Sequence, residues 1–498
     1  MSRNRLIAVT CAMMLSLFMA SMEGTVIATA MPTIVSELGG LEIYSWAFSV
    51  YLLTSTTTVP VFGKLSDIYG RRLIYAVSIA LFLVGSWLCG LAQTMGQLIA
   101  FRAIQGLGAG GLLPLTFIVI GDIFTLEQRA RIQGVFSSVW GISSIIGPLL
   151  GGFLVDQVSW PWVFWANIPP GLLAIVVFWN AWVRRGRDKR TRPAIDYAGA
   201  VLLTAAVVAL LLGLFQVTTP LGWLLLGIAA VLVGGLALVE RRVADPVLPL
   251  PLFRDRLFVV ACLHGMLAGC ALFGSTAFIP LFVQAVLGTS ATAAGATLTP
   301  MSLAWVLTSI VSSRLLLRVS YRSLAIAGMV LLTVGSVLLL RTTATSGQFM
   351  LLLSTTLMGS GMGCSVPAFL IAVQSSVERR VLGTATSTLQ FMRSIGGTLG
   401  VSVMGLLLSL RLAASLAAAG MDPGGVTLAG LLDPLGEGSA PALDTTLRTA
   451  LAGSIQRVFV IAFIASVLGL LATFGAPGGQ VSQLEARQPT GETVGSLE

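Results

Sequence analysis

The chain is 498 residues long, 56% hydrophobic and 10% charged, with a formal net charge of +9 and a mean hydropathy of +0.93. Soluble domains carry roughly a quarter charged residues, so this composition excludes a soluble fold. A membrane-spanning helix takes about 20 apolar residues, so fourteen spans would use about 280 residues and leave the remainder for short loops.

Apolar stretches begin near Leu6, Ser45, Leu73, Gln97, Ile132, Ser159, Tyr197, Gly222, Leu257, Ala293, Ser323, Gly347, Val381 and Leu451. Turns rich in Gly, Pro, Ser or charge separate them, and the pattern predicts fourteen helices. The count turns on the middle of the chain. Tyr197 to Val239 carries no charged side chain and is interrupted only at 218–222, which is long enough for two spans. The five cysteines, Cys11, Cys89, Cys262, Cys270 and Cys364, lie in apolar runs without CxxC spacing or a His cluster, and suggest neither disulfides nor a metal site.

Cytoplasmic loops collect Lys and Arg. With the N-terminus inside, the inner segments hold Arg3, Arg5, Lys64, Arg71, Arg72, Arg129, Arg131, the cluster from Arg184 to Arg192, Arg241, Arg242, Arg254, Arg256, Arg314, Arg318, Arg322, Arg379, Arg380 and Arg487. The outer segments hold only Arg341, Arg411 and Arg448. This asymmetry places both termini in the cytoplasm, explains the net charge as topology, and removes nucleic acid as a partner. Arg3, Arg5 and Ala28-Thr29-Ala30 imitate a secretory signal, but the long apolar run and Glu23 argue for a retained first helix. Arg411 to Ala450, with Pro423, Pro434 and Pro441, reads as an outer loop containing some interfacial helix.

Four segments carry chemistry. The first is the inner turn Gly63-Lys64-Leu65-Ser66-Asp67-Ile68-Tyr69-Gly70-Arg71-Arg72. Its two glycines permit a tight turn, and Asp67 is placed to accept bonds from a helix N-terminus or an Arg. In span four, Arg102-Ala103-Ile104-Gln105-Gly106-Leu107-Gly108 leads into Ala109-Gly110-Gly111, a formal GxGxxG. A dinucleotide site needs that loop between a strand and a helix, so here the glycines serve close helix packing. Span five carries Gly141, Gly147, Pro148, Gly151 and Gly152, a small-residue face with a proline that bends the helix. The first span ends in Met22-Glu23-Gly24-Thr25-Val26-Ile27-Ala28-Thr29-Ala30-Met31-Pro32, where Glu23 is the only carboxylate well inside any predicted span. An intramembrane acid is costly and functional by default.

The inner turn resembles the signature loop of the major facilitator superfamily, G-x-L-a-D-r-x-G-r-r. The resemblance implies that Asp67 and Arg71 latch two halves of the protein on the cytoplasmic side, with Asp122 at the end of span four as partner. The corresponding stretch from Ser313 to Arg322 lacks the acid and the glycines, so one latch is expected rather than two. The R-x-x-Q-G-x-G run at Arg102 resembles the family's intramembrane arginine motif. Span five is similar to G-x-x-x-G-P-x-x-G-G of the family's antiporters, and the Glu23 segment is similar to l-D-x-T-i-v-n-v-A-l-P of its fourteen-span drug:proton antiporters, with Glu in place of Asp.

At about 1.5 Å per residue, Glu23 lies roughly 12 Å from the outer end of span one and Arg102 roughly 8 Å from that of span four, so the two can meet. Glu23 then serves in proton or substrate handling, or forms a structural ion pair with Arg102. Arg393, near mid-depth in span thirteen, is expected to face a central cavity, either lining it or salt-bridged. Arg457 can snorkel. His264 is expected in a hydrogen-bonded packing role, with proton relay as the alternative.

The implied architecture is all-α, with a six-helix bundle at 1–194, two linker membrane helices at 195–242, and a second six-helix bundle at 243–474. An outer loop is expected at 411–450 and a cytoplasmic tail at 475–498. The implied function is a proton-coupled exporter of amphipathic, cationic drugs or dyes in the cell membrane; the alternative is an exporter of lipids or lipid-like molecules. No GxxxxGK[ST] phosphate loop occurs, so a proton gradient and no cofactor is expected to supply the energy, with a monomer in membrane lipid handling a small-molecule substrate. A membrane enzyme or receptor would need a catalytic or soluble module that the chain does not contain.

Overall fold

A computed structural model describes residues 2–39, 45–182, 196–217, 219–243, 248, 250–287, 296–343, 348–378, 381–418 and 445–486. Every long regular element among them is a helix. In chain order these are α1 (Arg3–Leu38), α2 (Ser45–Tyr69), α3 (Arg71–Gly90), α4 (Met95–Ile123), α5 (Leu126–Gln157), α6 (Ile168–Ala181), α7 (Tyr197–Phe215), α8 (Pro220–Glu240), α9 (Arg256–Leu281), α10 (Thr299–Leu315), α11 (Tyr321–Leu340), α12 (Gln348–Ser376), α13 (Leu382–Ala418) and α14 (Thr445–Phe474). Short helices at Trp162–Trp165 and Val481–Ala486 flank α6 and α14.

Ten helices among the described residues are long and apolar enough to cross a membrane. The other four are α2, α5, α7 and α10. Two of them, α7 and α10, are short, at 19 and 17 residues. In α2 the hydroxyls lower the hydropathy, yet they bond back to their own helix: Thr54 donates to the Val50 carbonyl and Thr58 to that of Thr54, both at 2.8 Å. Such bonds let hydroxyl residues sit in an apolar setting without an unsatisfied group. In α5 the first turns are charged, with Glu127, Arg129 and Arg131.

The packing pattern of the first six helices repeats in the last six. Helix α1 packs on α5 and α6, α2 and α3 pack on α4, and α3 packs on α6. Eight helices further on, α9 packs on α13 and α14, α10 and α11 on α12, and α11 on α14. The halves meet along two seams, α5 against α10 and α2 against α13. Small residues set the closeness of the bundles: a Cβ on Gly108 would overlap the Phe82 backbone, and one on Gly396 the Met266 backbone. The expected linker helices α7 and α8 pack on each other, and α7 also packs on both α2 and α13. Leu203, Val207 and Leu211 of α7 join Leu53 and Val59 of α2 and Phe391 and Ile395 of α13 in one apolar cluster. The middle pair therefore covers a seam between the halves instead of lying apart from it.

The outer loop expected at 411–450 begins later and ends earlier, because α13 continues to Ala418 and α14 starts at Thr445; residues 419–444 lie outside the described residues. The cluster from Arg184 to Arg192 and the tail beyond Ala486 also lie outside them.

Candidate functional site: a buried ion pair, an interhalf latch and a central cavity

Glu23 of α1 and Arg102 of α4 are 2% and 1% exposed. Arg102 Nη1 donates to Glu23 Oε1 at 2.5 Å and to Gln105 Oε1 at 2.6 Å, and its Nε donates to the Ala47 carbonyl at 3.1 Å. The guanidinium lies over the Tyr51 ring, 4.0 Å from its centroid. Gln105 donates onward to Ser86 at 2.8 Å. The second carboxylate oxygen, Oε2, accepts from Asn167 Nδ2 at 3.0 Å. Buried charges persist when they are paired and their remaining hydrogen-bonding capacity is met, and this cluster meets both conditions for Glu23.

The meeting of Glu23 and Arg102 agrees with the depth expected from helix rise. Asn167 was not singled out in the sequence. It precedes Ile168-Pro169-Pro170, a position that reads as a helix cap, yet its side chain makes no capping bond and reaches α1 instead. Asn167 Oδ1 has no hydrogen-bond partner among the described residues.

At the other end of α2, Gly70 has φ 91°, a left-handed conformation that favours glycine and turns the chain directly into α3. Arg71 then folds back: Nη1 donates to Asp67 Oδ1 at 2.5 Å and to Ser66 at 2.8 Å, while its Nε lies 3.6 Å from Asp122 Oδ2. Asp67 also reaches the second half. It accepts from the Gly383 backbone N–H at 3.2 Å, and from the Thr384 backbone N–H and hydroxyl at 2.8 Å each. Asp67 thus serves as an N-terminal cap for α13 supplied from another helix, satisfying orphan donors and matching the positive end of the helix dipole. A Cβ on Gly63 would overlap Ser387, which explains the first glycine of the turn.

Two further bonds cross between the halves at this end: Arg129 Nη1 to Ser375 Oγ at 3.4 Å, and Gln374 Nε2 to the Phe117 carbonyl at 3.1 Å. Sequence reading placed Arg129 only as a loop cation and did not mark Gln374, since neither belongs to a local pattern that names a distant partner.

Between the halves lies a cavity of about 220 Å³. Its wall includes Ser21, Phe136, Trp140, Phe273, Trp305 and Arg393, and Arg393 is the only charged side chain lining it among the described residues. The expectation that Arg393 faces a central cavity agrees with this; no ion pair to it occurs among the described residues. Glu23 does not line the cavity. It lies two residues past cavity-lining Ser21, and in this conformation its oxygens are taken up by Arg102 and Asn167.

Of the small-residue face on α5, Gly141 lies against α10, where a Cβ would approach Val306 Cγ2 to 3.0 Å. Nearby Ser143 accepts from Ser21 at 2.6 Å, joining α5 to α1. Gly147 and Gly151 are buried, Gly152 has open space beside it, and the Pro148 side chain lies outside the described residues. His264 is buried and packs its ring on Phe369 with centroids 4.8 Å apart, in keeping with a packing role, while its Nε2 has no hydrogen-bond partner among the described residues. Arg457 is exposed, in keeping with a snorkelling side chain.

Residues 13–401 match the family described as Major Facilitator Superfamily. The chain is 37% identical over 405 residues to the multidrug transporter protein MdtP of Bacillus subtilis, covering 80% of this chain and 74% of that one. It is also 37% identical over 403 residues to multidrug resistance protein 3 of the same organism, covering 80% and 78%. Among solved structures, the human organic anion transporter MFSD10 superposes with a TM-score of 0.64 at 15% identity, over 96% of this chain and 100% of that one. The proton:xylose symporter XylE gives a TM-score of 0.64 at 12% identity, over 98% and 99%. Identities this low carry the fold alone.

Proposed function

This chain belongs to the major facilitator superfamily and is a membrane transporter of small molecules, not an enzyme; from that premise we propose that it exports amphipathic compounds across the cell membrane in exchange for protons. The observation that carries the proposal is the buried Glu23, held between Arg102 and Asn167. A proton gradient is worth about 2.3 kcal/mol per charge per 100 mV before any pH difference, and one protonatable acid suffices to couple to it.

The cluster suits a group that changes protonation state. An amide both donates and accepts. Asn167 donates to the ionised carboxylate through Nδ2, and rotating the amide would present its unpartnered Oδ1 to a protonated one. Arg102 retains Gln105 and the Ala47 carbonyl when Glu23 is neutral, so protonation need not strand a buried guanidinium. Ser21, which lines the cavity and bonds to Ser143, connects the Glu23 region of α1 to the substrate space and to α5.

Oriented by its basic loops, the protein has fourteen spans, both termini in the cytoplasm, and bundles at 1–194 and 243–474 flanking the linker helices at 195–242. The Asp67 end is then cytoplasmic and closed. Closure there by a few polar bonds, with the cavity above it, suits alternating access by a monomer. Relatives named as multidrug transporters support export of drugs. A lipid exporter is the second reading, favoured by Arg393 in the cavity wall.

The test is uptake of a panel of fluorescent amphiphiles into inverted vesicles with and without an imposed pH gradient. Gradient-dependent accumulation supports exchange; accumulation indifferent to the gradient overturns it.

A further inference from the structure

Resting on the reading of the central cavity as the substrate site, we infer that its ligand is an amphipathic anion whose acidic group sits on Arg393. The cavity wall pairs one charged group with an aromatic lining. Phe117, Phe136, Trp140 and Trp305 offer ring surface to an apolar body, while no Asp or Glu among the described residues lines the wall to balance Arg393. The three ion pairs among the described residues all lie elsewhere, on Arg71 and Arg102.

Arg393 is also held in place. Gly265 and Gly269 let α9 approach its backbone: a Cβ on Gly269 would overlap the Arg393 carbonyl oxygen, and one on Gly265 would touch its Cβ at 3.8 Å. A narrow recess of about 30 Å³ opens beside the main cavity and shares Gln390 and Arg393 with it. That recess is also lined by His264, a 2% exposed side chain whose Nε2 has no partner among the described residues. A guanidinium, an amide and an unpartnered imidazole nitrogen therefore line one small recess beside the aromatic-walled cavity.

Arg393 is half-buried in the cavity wall with no carboxylate lining it among the described residues, and a ligand anion would supply its counter-ion. The guanidinium fork matches the paired oxygens of a carboxylate, sulfonate or phosphate. A cationic ligand would face Arg393 with no acid lining the cavity among the described residues, and Glu23 is sealed among its own partners. The acidic group has two sources, a soluble acidic compound or an anionic lipid.

The test is binding to the full chain in nanodiscs of zwitterionic lipid, read by energy transfer from tryptophan to pyrene and corrected with empty nanodiscs. The probes are pyrenebutyrate, its methyl ester and a pyrene trimethylammonium. Pyrenebutyrate is expected to bind about tenfold or more tighter than the ester, and the cation weakest. Arg393→Gln should bring pyrenebutyrate to the level of the ester while ester binding stays within about twofold, the control for an intact fold; Arg393→Lys should keep the preference for the acid. Equal binding of acid and ester by the wild type, or an unchanged preference in Arg393→Gln, overturns the inference. Competition by phosphatidic acid but not phosphatidylcholine assigns the acidic group to a lipid; competition by neither assigns it to a soluble compound. No gradient enters these readings, so loss of proton exchange would leave them intact, whereas gradient-driven export of the ester in preference to the acid would keep the export reading and contradict this one.

Discussion

Thr384 donates to Asp67 twice, through its backbone N–H and its hydroxyl, at 2.8 Å each and across 317 positions of the chain. These bonds, together with that from Gly383, tie the last turn of α2 to the first of α13. A cap of this kind is worth about 0.5–2 kcal/mol, small enough to be broken in every transport cycle yet large enough to bias which end is open.

Asp67→Asn should therefore slow export severalfold with substrate affinity changed less than twofold. Thr384→Val, which removes only the hydroxyl bond, should slow it less. Steady-state export beside equilibrium binding checks the ordering. Wild-type turnover in Asp67→Asn would reduce the turn to a loop anchor.

The seam has a steric counterpart. Gly63→Ala would overlap Ser387, so it should favour the conformation in which the Asp67 end is open, and Ser387→Gly in the same chain should restore closure. Labelling of a cysteine placed in that seam measures both: more labelling in the single variant, a return toward wild type in the double.

Arg102→Ala removes the partner of a 2% exposed carboxylate and of Gln105. Breaking a buried pair from one side costs about 3–5 kcal/mol. The variant should lose much of its thermal stability, and combining it with Glu23→Gln should recover part of that loss. A double variant less stable than Arg102→Ala alone would show that the pair is not what holds the two residues.

Asn167 offers a sharper test of the cluster. Asn167→Ala should cut gradient-driven export severalfold. Asn167→Asp, which sets a second carboxylate at the Glu23 oxygen it now serves, should cut it further. Equal, wild-type transport by both would separate Asn167 from coupling.

Much of this was legible locally. An apolar stretch with a bounded turn marks a helix whatever its neighbours, so the predicted starts at Ser45, Tyr197 and Val381 fall within a residue of α2, α7 and α13. Helix α5 begins at Leu126 instead of near Ile132 because its opening turn is charged and is marked by a cap: the Thr125 N–H donates to Gln128 Oε1 at 3.1 Å. Partnerships were legible only where a motif or the depth along a helix carried them, as for Arg71 with Asp122 and Glu23 with Arg102 respectively. Asn167 joins Glu23 from 144 positions away, and Asp67 joins Thr384 from 317, with no periodicity to announce either. The separation of Glu23 from the cavity was likewise hidden, since depth along a helix does not say which way a side chain faces.

The fourteen-span arrangement is checked by impermeant thiol labelling after the native cysteines are replaced. Single cysteines near Thr219 and Gly436 should react from outside in sealed cells, and one near Arg187 should not. Arg187 and Gly436 lie outside the described residues, so this measurement supplies their sidedness directly.

The most direct test of the central claim is export by Glu23→Gln in vesicles with an imposed pH gradient. Gln keeps the size and the hydrogen-bonding reach to Arg102 and Asn167 but has no proton to exchange. Gradient-driven export should fall to background while substrate still binds in the cavity, which Glu23 does not line. Full gradient-driven export by this variant would contradict the assignment of Glu23 as the coupling group.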